Sequence, residues 1–179
     1  MRCFIAIELP RNVRENLFNV QNDIGNDHAK IKWLAKKNLH ISLKFLGDAD
    51  EEKLKLTREA LSNIRKKKFI LELGKISWFP DEDNVKVIWI GLYPETNIFD
   101  LHGEAELKLG TLFKKDERFA VHLTLGRVKL IKNKAKFLDI LRNIKIVSER
   151  FQVNSFCLIK SELTKDGPNY TILEEYALE

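Results

Sequence analysis

The feature that most constrains this chain is an internal repeat. Segments 38–47 and 120–128 each place a histidine, an aliphatic residue, a small hydroxyl residue and a leucine in the same order. The two histidines, His40 and His122, are 82 positions apart (122 − 40). Such a repeat indicates two copies of one structural unit, so the fold is expected to be a pair of related halves.

The same order of elements surrounds both motifs, with a strand and a helix before each one and a helix and a strand after it. The predicted helices are 13–24, 51–66, 97–109 and 133–145, and the predicted strands outside the motifs are 3–9, 69–73, 85–92 and 151–155. One further strand, 170–178, has no counterpart in the repeat and follows a turn signal over 166–169.

These elements predict an α+β fold of two pseudo-symmetric lobes, each a mainly antiparallel sheet with helices on its outer face. The active-site cleft is expected between the two sheets. With 179 residues the chain suits a single bilobal domain. The additional last strand is expected to return to the first lobe, which gives predicted ranges of 1–80 plus 168–179 for one lobe and 81–167 for the other.

The composition places the chain among ordinary globular proteins and gives it a modest positive charge. Its 31 Lys and Arg against 26 Asp and Glu leave a net charge of +5, which suits an acidic partner such as RNA but is also common without one. No apolar run approaches the roughly 20 residues of a membrane helix. The short apolar opening lacks the organisation of an export signal, so a cytoplasmic location without membrane contact is expected. Cys3 and Cys157 are expected to be buried thiols.

The two motifs place reactive groups on one face of a strand. Because side chains alternate along a strand, His40 and Ser42 point the same way, and so do His122 and Thr124. The aliphatic residues between them point into an apolar layer. If the two lobes face each other, the cleft between them holds two imidazoles and two hydroxyls.

That set of groups suits displacement at a phosphodiester. The reaction needs one base and one acid, and histidine, with a pKa near ~6.5, serves either role near neutral pH. Each such group typically contributes about 10²–10⁴-fold to the rate. Ser42 and Thr124 are predicted to bind the phosphate by donating hydrogen bonds to its non-bridging oxygens.

A single His-x-Ser/Thr strand is more often structural than catalytic, but packing does not require histidine twice at equivalent positions. The remaining histidines, His28 and His102, have no partner at metal-ligand spacing. The chain also lacks the glycine-rich signatures of ATP and dinucleotide sites and the GxSxG elbow of serine hydrolases. The sequence therefore predicts no metal, no cofactor and no use of ATP.

Taken together, these motifs resemble the two-histidine phosphoesterases, in particular the RNA 2′,3′-cyclic phosphodiesterase branch historically called 2′-5′ RNA ligase. The resemblance covers nearly the whole chain. It is carried by residues 2–10, 33–47, 78–80, 85–89, 122–127, 161–163 and 167–170. The one departure is Ser42, where threonine is commoner in the family, and the hydroxyl is retained.

The resemblance implies a substrate, RNA such as a tRNA fragment that ends in a 2′,3′-cyclic phosphate, and a 2′-phosphate product. It also implies that His40 is the proton donor to the leaving 3′ oxygen and His122 the proton acceptor from water, although the pseudo-symmetry leaves this polarity open. The reverse reaction would join RNA ends by a 2′-5′ bond. A monomer is expected. Two other functions remain open: a cyclic phosphodiesterase for small nucleotides, and a non-catalytic RNA- or nucleotide-binding module.

Two basic residues are further candidates for substrate contact. Strict alternation would aim Arg127 away from His122, but Gly126 permits a bulge that would turn it back. The alternative for Arg127 is a solvated charge at the end of the strand. Lys44 alternates onto the face of His40, where it would either meet the phosphate or simply face water. Four aromatic residues are candidates either for base stacking or for core packing: Trp33, Trp78, Phe79 and Trp89.

Overall fold

A computed structural model describes residues 1–165 and 167–179, so the predicted turn over 166–169 lies partly outside the described residues. The strands in this part of the chain are β1 (Arg2–Glu8), β2 (Ala29–Trp33), β3 (His40–Asp48), β4 (Phe69–Phe79), β5 (Val87–Tyr93), β6 (Leu123–Ile131), β7 (Arg150–Val153), β8 (Ser155–Thr164) and β9 (Gly167–Ala177). The helices are α1 (Arg11–Ile24), α2 (Glu51–Ser62), α3 (Thr96–Leu109) and α4 (Lys134–Asn143), and a 3₁₀ turn, Lys36–Asn38, precedes β3.

The strands form two antiparallel sheets. One has four strands in the order β3-β1-β8-β9, and the other has five in the order β2-β6-β5-β4-β7. The motif strands β3 and β6 lie in different sheets, as the repeat requires. The predicted α+β class with two antiparallel sheets is confirmed.

The predicted lobe ranges do not match the membership of the sheets. Strands β2 and β4, from the range 1–80, belong to the five-stranded sheet, and β8, from the range 81–167, belongs to the four-stranded sheet. The reason is that the predicted boundaries cut two hairpins and also separate β2 from β6, the strand with which it pairs. Strand β4 pairs with β5 and β8 pairs with β9, and paired strands must share a sheet. The last strand does lie in the same sheet as the first, as predicted.

Helices cover the outer face of each sheet. Helices α2 and α3 pack together over the four-stranded sheet, and α4 packs over the five-stranded one. Helix α1 is fixed to the five-stranded sheet by the buried side chain of Gln21, whose Nε2 donates to the carbonyl oxygens of Leu125 (2.9 Å) and Leu34 (3.0 Å). Among the described residues, no helix combines the length and apolarity needed to cross a bilayer.

The helices that follow the motifs begin at equivalent capping residues. Asp50 and Asn133 each accept a hydrogen bond from the backbone N–H three residues later, which satisfies one of the free donors at a helix start. Both helices end earlier than predicted, at Ser62 and Asn143. The repeat therefore extends to the capping chemistry.

Candidate active site

One large cleft, of about 1260 Å³, is lined by residues of both sheets. His40 and Ser42 reach it from the four-stranded sheet, and His122 and Thr124 reach it from the five-stranded sheet. Two segments 82 residues apart along the chain (122 − 40) thus present both imidazoles and both hydroxyls to one space.

His40 is the first residue of β3 and is 9% exposed. Its Nδ1 lies 2.7 Å from the carbonyl oxygen of Asn38, and its Nε2 lies 3.0 Å from the hydroxyl oxygen of Ser42. A carbonyl oxygen can only accept a hydrogen bond, so Nδ1 carries a proton. This fixes the tautomer and leaves Nε2 as the reactive nitrogen beside Ser42.

Aromatic rings surround His40. The ring centroid of Phe4 lies 5.0 Å from that of the imidazole, and the ring centroid of Tyr170 lies 5.4 Å away in an edge-on arrangement. Burial lowers the pKa of His40, the hydrogen bond to the Asn38 carbonyl opposes that shift, and the nearby positive charges of Arg14 and His122 add to it. In the free protein the neutral imidazole is therefore favoured.

His122 lies directly before β6 and is more accessible than His40. Its Nδ1 lies 2.8 Å from the carbonyl oxygen of Ala120, so Nδ1 is again protonated and Nε2 is the free nitrogen. Phe79 and Trp89 stack on each other at 4.8 Å and present their rings edge-on to His122 at 5.5 and 6.2 Å. These two aromatics, predicted either to stack on bases or to pack in the core, contact the histidine instead.

Each histidine is oriented in the same way, by the carbonyl group two residues before it. Sequence reasoning missed this role of Asn38 and Ala120, although both occupy the equivalent position in the repeated segments. It also missed Phe4 and Tyr170, whose contacts with His40 depend on the pairing of distant strands. No local pattern indicates them.

A β-bulge follows each motif. In the pairing with β1, Ile5 is opposite Lys44 and Ala6 is opposite Ser42, so Leu43 is the additional residue. In the pairing with β5, Leu125 is the additional residue in the same way. A bulge places two consecutive residues on one side of the strand and reverses the alternation beyond it.

The bulge in β6 brings Arg127 into the cleft. Its side chain is exposed and lines the same space as His122 and Thr124. The bulge permitted by Gly126 is present one residue earlier, at Leu125. The glycine itself is required for packing, because a Cβ at Gly126 would lie 2.6 Å from the Trp33 ring.

The bulge in β3 has the opposite effect on Lys44, and the prediction that Lys44 faces the cleft is wrong. The side chain turns under the helices, where it is 1% exposed and forms an ion pair with Glu106. Its Nζ also donates to the carbonyl oxygen of Lys114 (2.9 Å) and lies 3.7 Å from Asp116. Alternation failed here because the sequence gives no sign of the additional residue in β3.

The group around Lys44 also contains His102, whose Nδ1 lies 2.9 Å from the carbonyl oxygen of Leu43. The prediction that His102 has no partner at metal-ligand spacing is wrong, because the side chains of His102, Glu106 and Asp116 lie close enough together to offer ligands to one ion. Burial raises the pKa of Glu106, but the hydrogen bond and positive charge of Lys44 outweigh this and lower it. The ammonium group thus already neutralises the carboxylate that a cation would need.

Comparisons with known proteins match this chain to a family over nearly its whole length. A family model described as LigT-like phosphoesterase matches residues 7–89 and again 90–170, one match for each half of the repeat. An RNA 2′,3′-cyclic phosphodiesterase of Methanocaldococcus jannaschii is 39% identical over 178 residues, which are 98% of this chain and 100% of that protein. The chain is also similar to an RNA 2′,3′-cyclic phosphodiesterase of Archaeoglobus fulgidus, at 34% identity over 98% of this chain and 99% of that protein.

A solved structure is similar to the whole fold. The crystal structure of a Thermus thermophilus protein superposes with a TM-score of 0.80 at 26% identity, covering 99% of this chain and 97% of that one. The predicted family resemblance is confirmed.

Proposed function

Because the chain belongs to the LigT-like phosphoesterase family, we propose that it hydrolyses the 2′,3′-cyclic phosphate at an RNA end to a 2′-phosphate. The observation that carries this proposal is the convergence of two histidines of fixed tautomer on one cleft, each beside a hydroxyl residue. Relatives named RNA 2′,3′-cyclic phosphodiesterase match the chain over nearly its full length. The chemistry that the two histidines can perform therefore agrees with the reaction named for these relatives.

In the proposed reaction, Nε2 of His122 removes a proton from water as the water oxygen attacks phosphorus. The bond between phosphorus and the 3′ oxygen breaks, and protonated Nε2 of His40 donates its proton to that oxygen. The 2′ ester bond remains, so the product is a 2′-phosphate. After each turnover His122 is protonated and His40 is neutral, and proton exchange with solvent restores the starting state.

The surroundings of the two histidines support this polarity. His122 is the more accessible ring, which suits a base that activates water. His40 has an oxygen acceptor near each nitrogen, the Asn38 carbonyl at Nδ1 and Ser42 at Nε2, so a protonated ring is well accommodated. Burial lowers its pKa in the free protein, and the negative charge of a bound phosphate acts in the opposite direction.

Ser42 links the protonation of His40 to phosphate binding. When Nε2 of His40 is neutral, it can accept the hydroxyl proton of Ser42 across their 3.0 Å contact. When Nε2 is protonated, the hydroxyl oxygen accepts its hydrogen bond until the proton passes to the 3′ oxygen, and the proton of the hydroxyl is free to bind a non-bridging phosphate oxygen. Thr124 is proposed to bind the other non-bridging oxygen from the opposite sheet.

Arg127 is proposed to contact the phosphate as well. It lies in the cleft beyond the bulge, and its positive charge lowers the pKa of Tyr170, although burial of that phenol has the larger, raising effect. Arg127 and Tyr170, one of the rings that surround His40, line the same cleft. A guanidinium in this position can neutralise charge that accumulates on the phosphate.

The cleft has room for nucleotides beyond the one that carries the cyclic phosphate. Pockets for small molecules are typically about 300–1,000 Å³, whereas this cleft encloses about 1260 Å³. Run backwards, the same chemistry would join a 5′-hydroxyl to the cyclic phosphate and form a 2′-5′ bond, as a minor activity where water is in excess.

A monomeric state and a cytoplasmic location belong to the same proposal. Both cysteines are buried free thiols, in keeping with a reducing compartment. Light scattering on the purified protein tests the first point, and a dimer mass would refute it. Cell fractionation tests the second, and recovery outside the cytoplasm would refute it.

The function is tested by incubating the protein with an RNA oligonucleotide that ends in a 2′,3′-cyclic phosphate, in EDTA, and identifying the product. A 2′-phosphate end is expected. A 3′-phosphate product would reverse the assignment of the leaving oxygen. If the RNA is bound but never hydrolysed, the chain is a binding module, and if only small cyclic nucleotides are hydrolysed, the RNA substrate is wrong.

A further inference from the structure

A row of basic side chains leads away from the proposed reaction centre along one wall of the cleft. Lys32 on β2 and Arg127 on β6 are directly opposite each other in the antiparallel pairing, and Lys129 follows on β6. All three line the cleft. Strand β2 is one of the two edge strands of the five-stranded sheet, so the row begins three residues beyond Thr124 and reaches an edge of that sheet.

This arrangement is unfavourable for the free protein. Like charges directly opposite each other on neighbouring strands are destabilising. Within residues 1–165 and 167–179, none of the three cations forms an ion pair or a side-chain hydrogen bond. Elsewhere on the five-stranded half, basic residues such as Lys134 and Arg142 do have carboxylate partners, Asp83 and Glu82.

The charge of the cleft is one-sided as well. Six of the described residues that line it are Lys or Arg, and none of the described ones is Asp or Glu, although the chain contains 26 acidic residues. These cations are Arg2, Lys32, Lys36, Lys37, Arg127 and Lys129. Only Lys36 has an acidic partner among the described residues, Glu15. Of the five cations without an acidic partner among the described residues, three lie on β2 and β6.

We propose that Lys32 and Lys129, which lie beyond Arg127 along the cleft, bind the backbone phosphates of the nucleotides on the 5′ side of the RNA end. This inference rests on the proposed function. Paired strands are about 5 Å apart, and residues two apart along a strand are separated by about 7 Å. The three cations thus form a continuous path that begins beside the reacting phosphate. A cyclic mononucleotide has only its cyclic phosphate, so it has no further phosphate that could bind to this path.

The proposal predicts how strongly salt weakens the recognition of RNA. Each phosphate contact with a single strand contributes about 0.7 to the slope of log affinity against log salt. Two contacts give a slope of about 1.4, which is roughly a 7-fold loss between 50 and 200 mM salt. The path is electrostatic, so it should not distinguish base sequence.

The test compares kcat/KM for a tetranucleotide that ends in a 2′,3′-cyclic phosphate with kcat/KM for a 2′,3′-cyclic mononucleotide of the same terminal base. For the unaltered protein we expect the ratio to exceed about 10 at roughly 50 mM salt, and salt to lower it. Lys32→Ala and Lys129→Ala are each expected to lower the ratio and to reduce the salt slope by about 0.7. Lys32→Arg keeps the charge, so the kcat/KM ratio and the salt slope are expected to stay at the values of the unaltered protein.

Lys136→Ala is the matched control, because Lys136 is exposed on α4 and outside the cleft. It is expected to leave the ratio and the slope unchanged. A ratio near one for the unaltered protein would overturn the phosphate path while leaving the proposed hydrolysis intact. A kcat/KM ratio that is unchanged in both Lys32→Ala and Lys129→Ala would also overturn the phosphate path and leave the proposed hydrolysis intact. Failure to hydrolyse either substrate would instead refute the proposed function.

Discussion

Leu43 in β3 and Leu125 in β6 are equivalent residues, 82 positions apart (125 − 43), and each is the additional residue of a β-bulge. Both side chains are fully buried, and each bulge directly follows a His-x-Ser/Thr pair. Before the bulge, alternate residues face the cleft. Beyond it the alternation is reversed, so Arg127 enters the cleft and Lys44 is turned into the interior.

Replacing either histidine is expected to remove nearly all turnover. His40→Ala and His122→Ala each remove one proton-transfer group, so kcat should fall by about 10²–10⁴-fold. Single-turnover assays on the cyclic-phosphate RNA measure the loss, and thermal unfolding checks that the variants remain folded. His28→Ala is the control, since His28 lies outside the cleft. Near-normal activity in either cleft variant would refute the mechanism.

The two hydroxyls are expected to act on the phosphate. Ser42→Ala and Thr124→Val each remove one donor to a non-bridging oxygen, a change that costs up to about 10²–10³-fold in kcat at comparable sites. The conservative variants Ser42→Thr and Thr124→Ser should retain most of the activity. Loss that appears only in KM would show that the hydroxyls bind the substrate without stabilising the transition state.

The pH dependence of the rate is expected to be bell-shaped, because one imidazole must be neutral and the other protonated. His40 must keep its proton, so activity falls as pH rises through its pKa. Burial lowers that pKa in the free protein, and bound phosphate raises it again. The limb at high pH should therefore lie at higher pH for kcat than for kcat/KM. The opposite order would contradict His40 as the acid.

His40 should also make stability depend on pH. Because burial lowers its pKa below the unfolded value, the unfolded chain binds the proton more readily. The contribution of His40 is thus fully present above about pH 6.5 and is lost as pH falls toward the lower folded pKa. In denaturant titrations, His40→Gln should lose less stability than the unaltered protein between about pH 7 and pH 5. An equal loss would contradict the burial effect.

Lys44 is expected to be important for stability. Lys44→Ala leaves Glu106 without its partner; breaking a fully buried ion pair costs about 3–5 kcal/mol, and because Glu106 is partly exposed the loss here is expected at or below the low end of that range. Lys44→Met combined with Glu106→Gln removes both charges and should recover much of that loss. Urea unfolding of the two variants gives the comparison. A single variant as stable as the unaltered protein would show that the pair contributes little.

The sequence by itself determined the duplication, the α+β class and the two histidines, because these depend on local patterns that repeat along the chain. It also indicated that a glycine close to His122 could accompany a bulge. Side-chain alternation and a repeated motif are properties of the chain before it folds.

Only the tertiary structure decided which strands share a sheet and which basic residues reach the cleft. Strand β4 joins β5, and β8 joins β9, through pairings that the repeat does not specify. The bulge at Leu43 buries Lys44, and the edge strand β2 brings Lys32 beside Arg127. Pairing register is a property of two strands together, so neither strand encodes it alone.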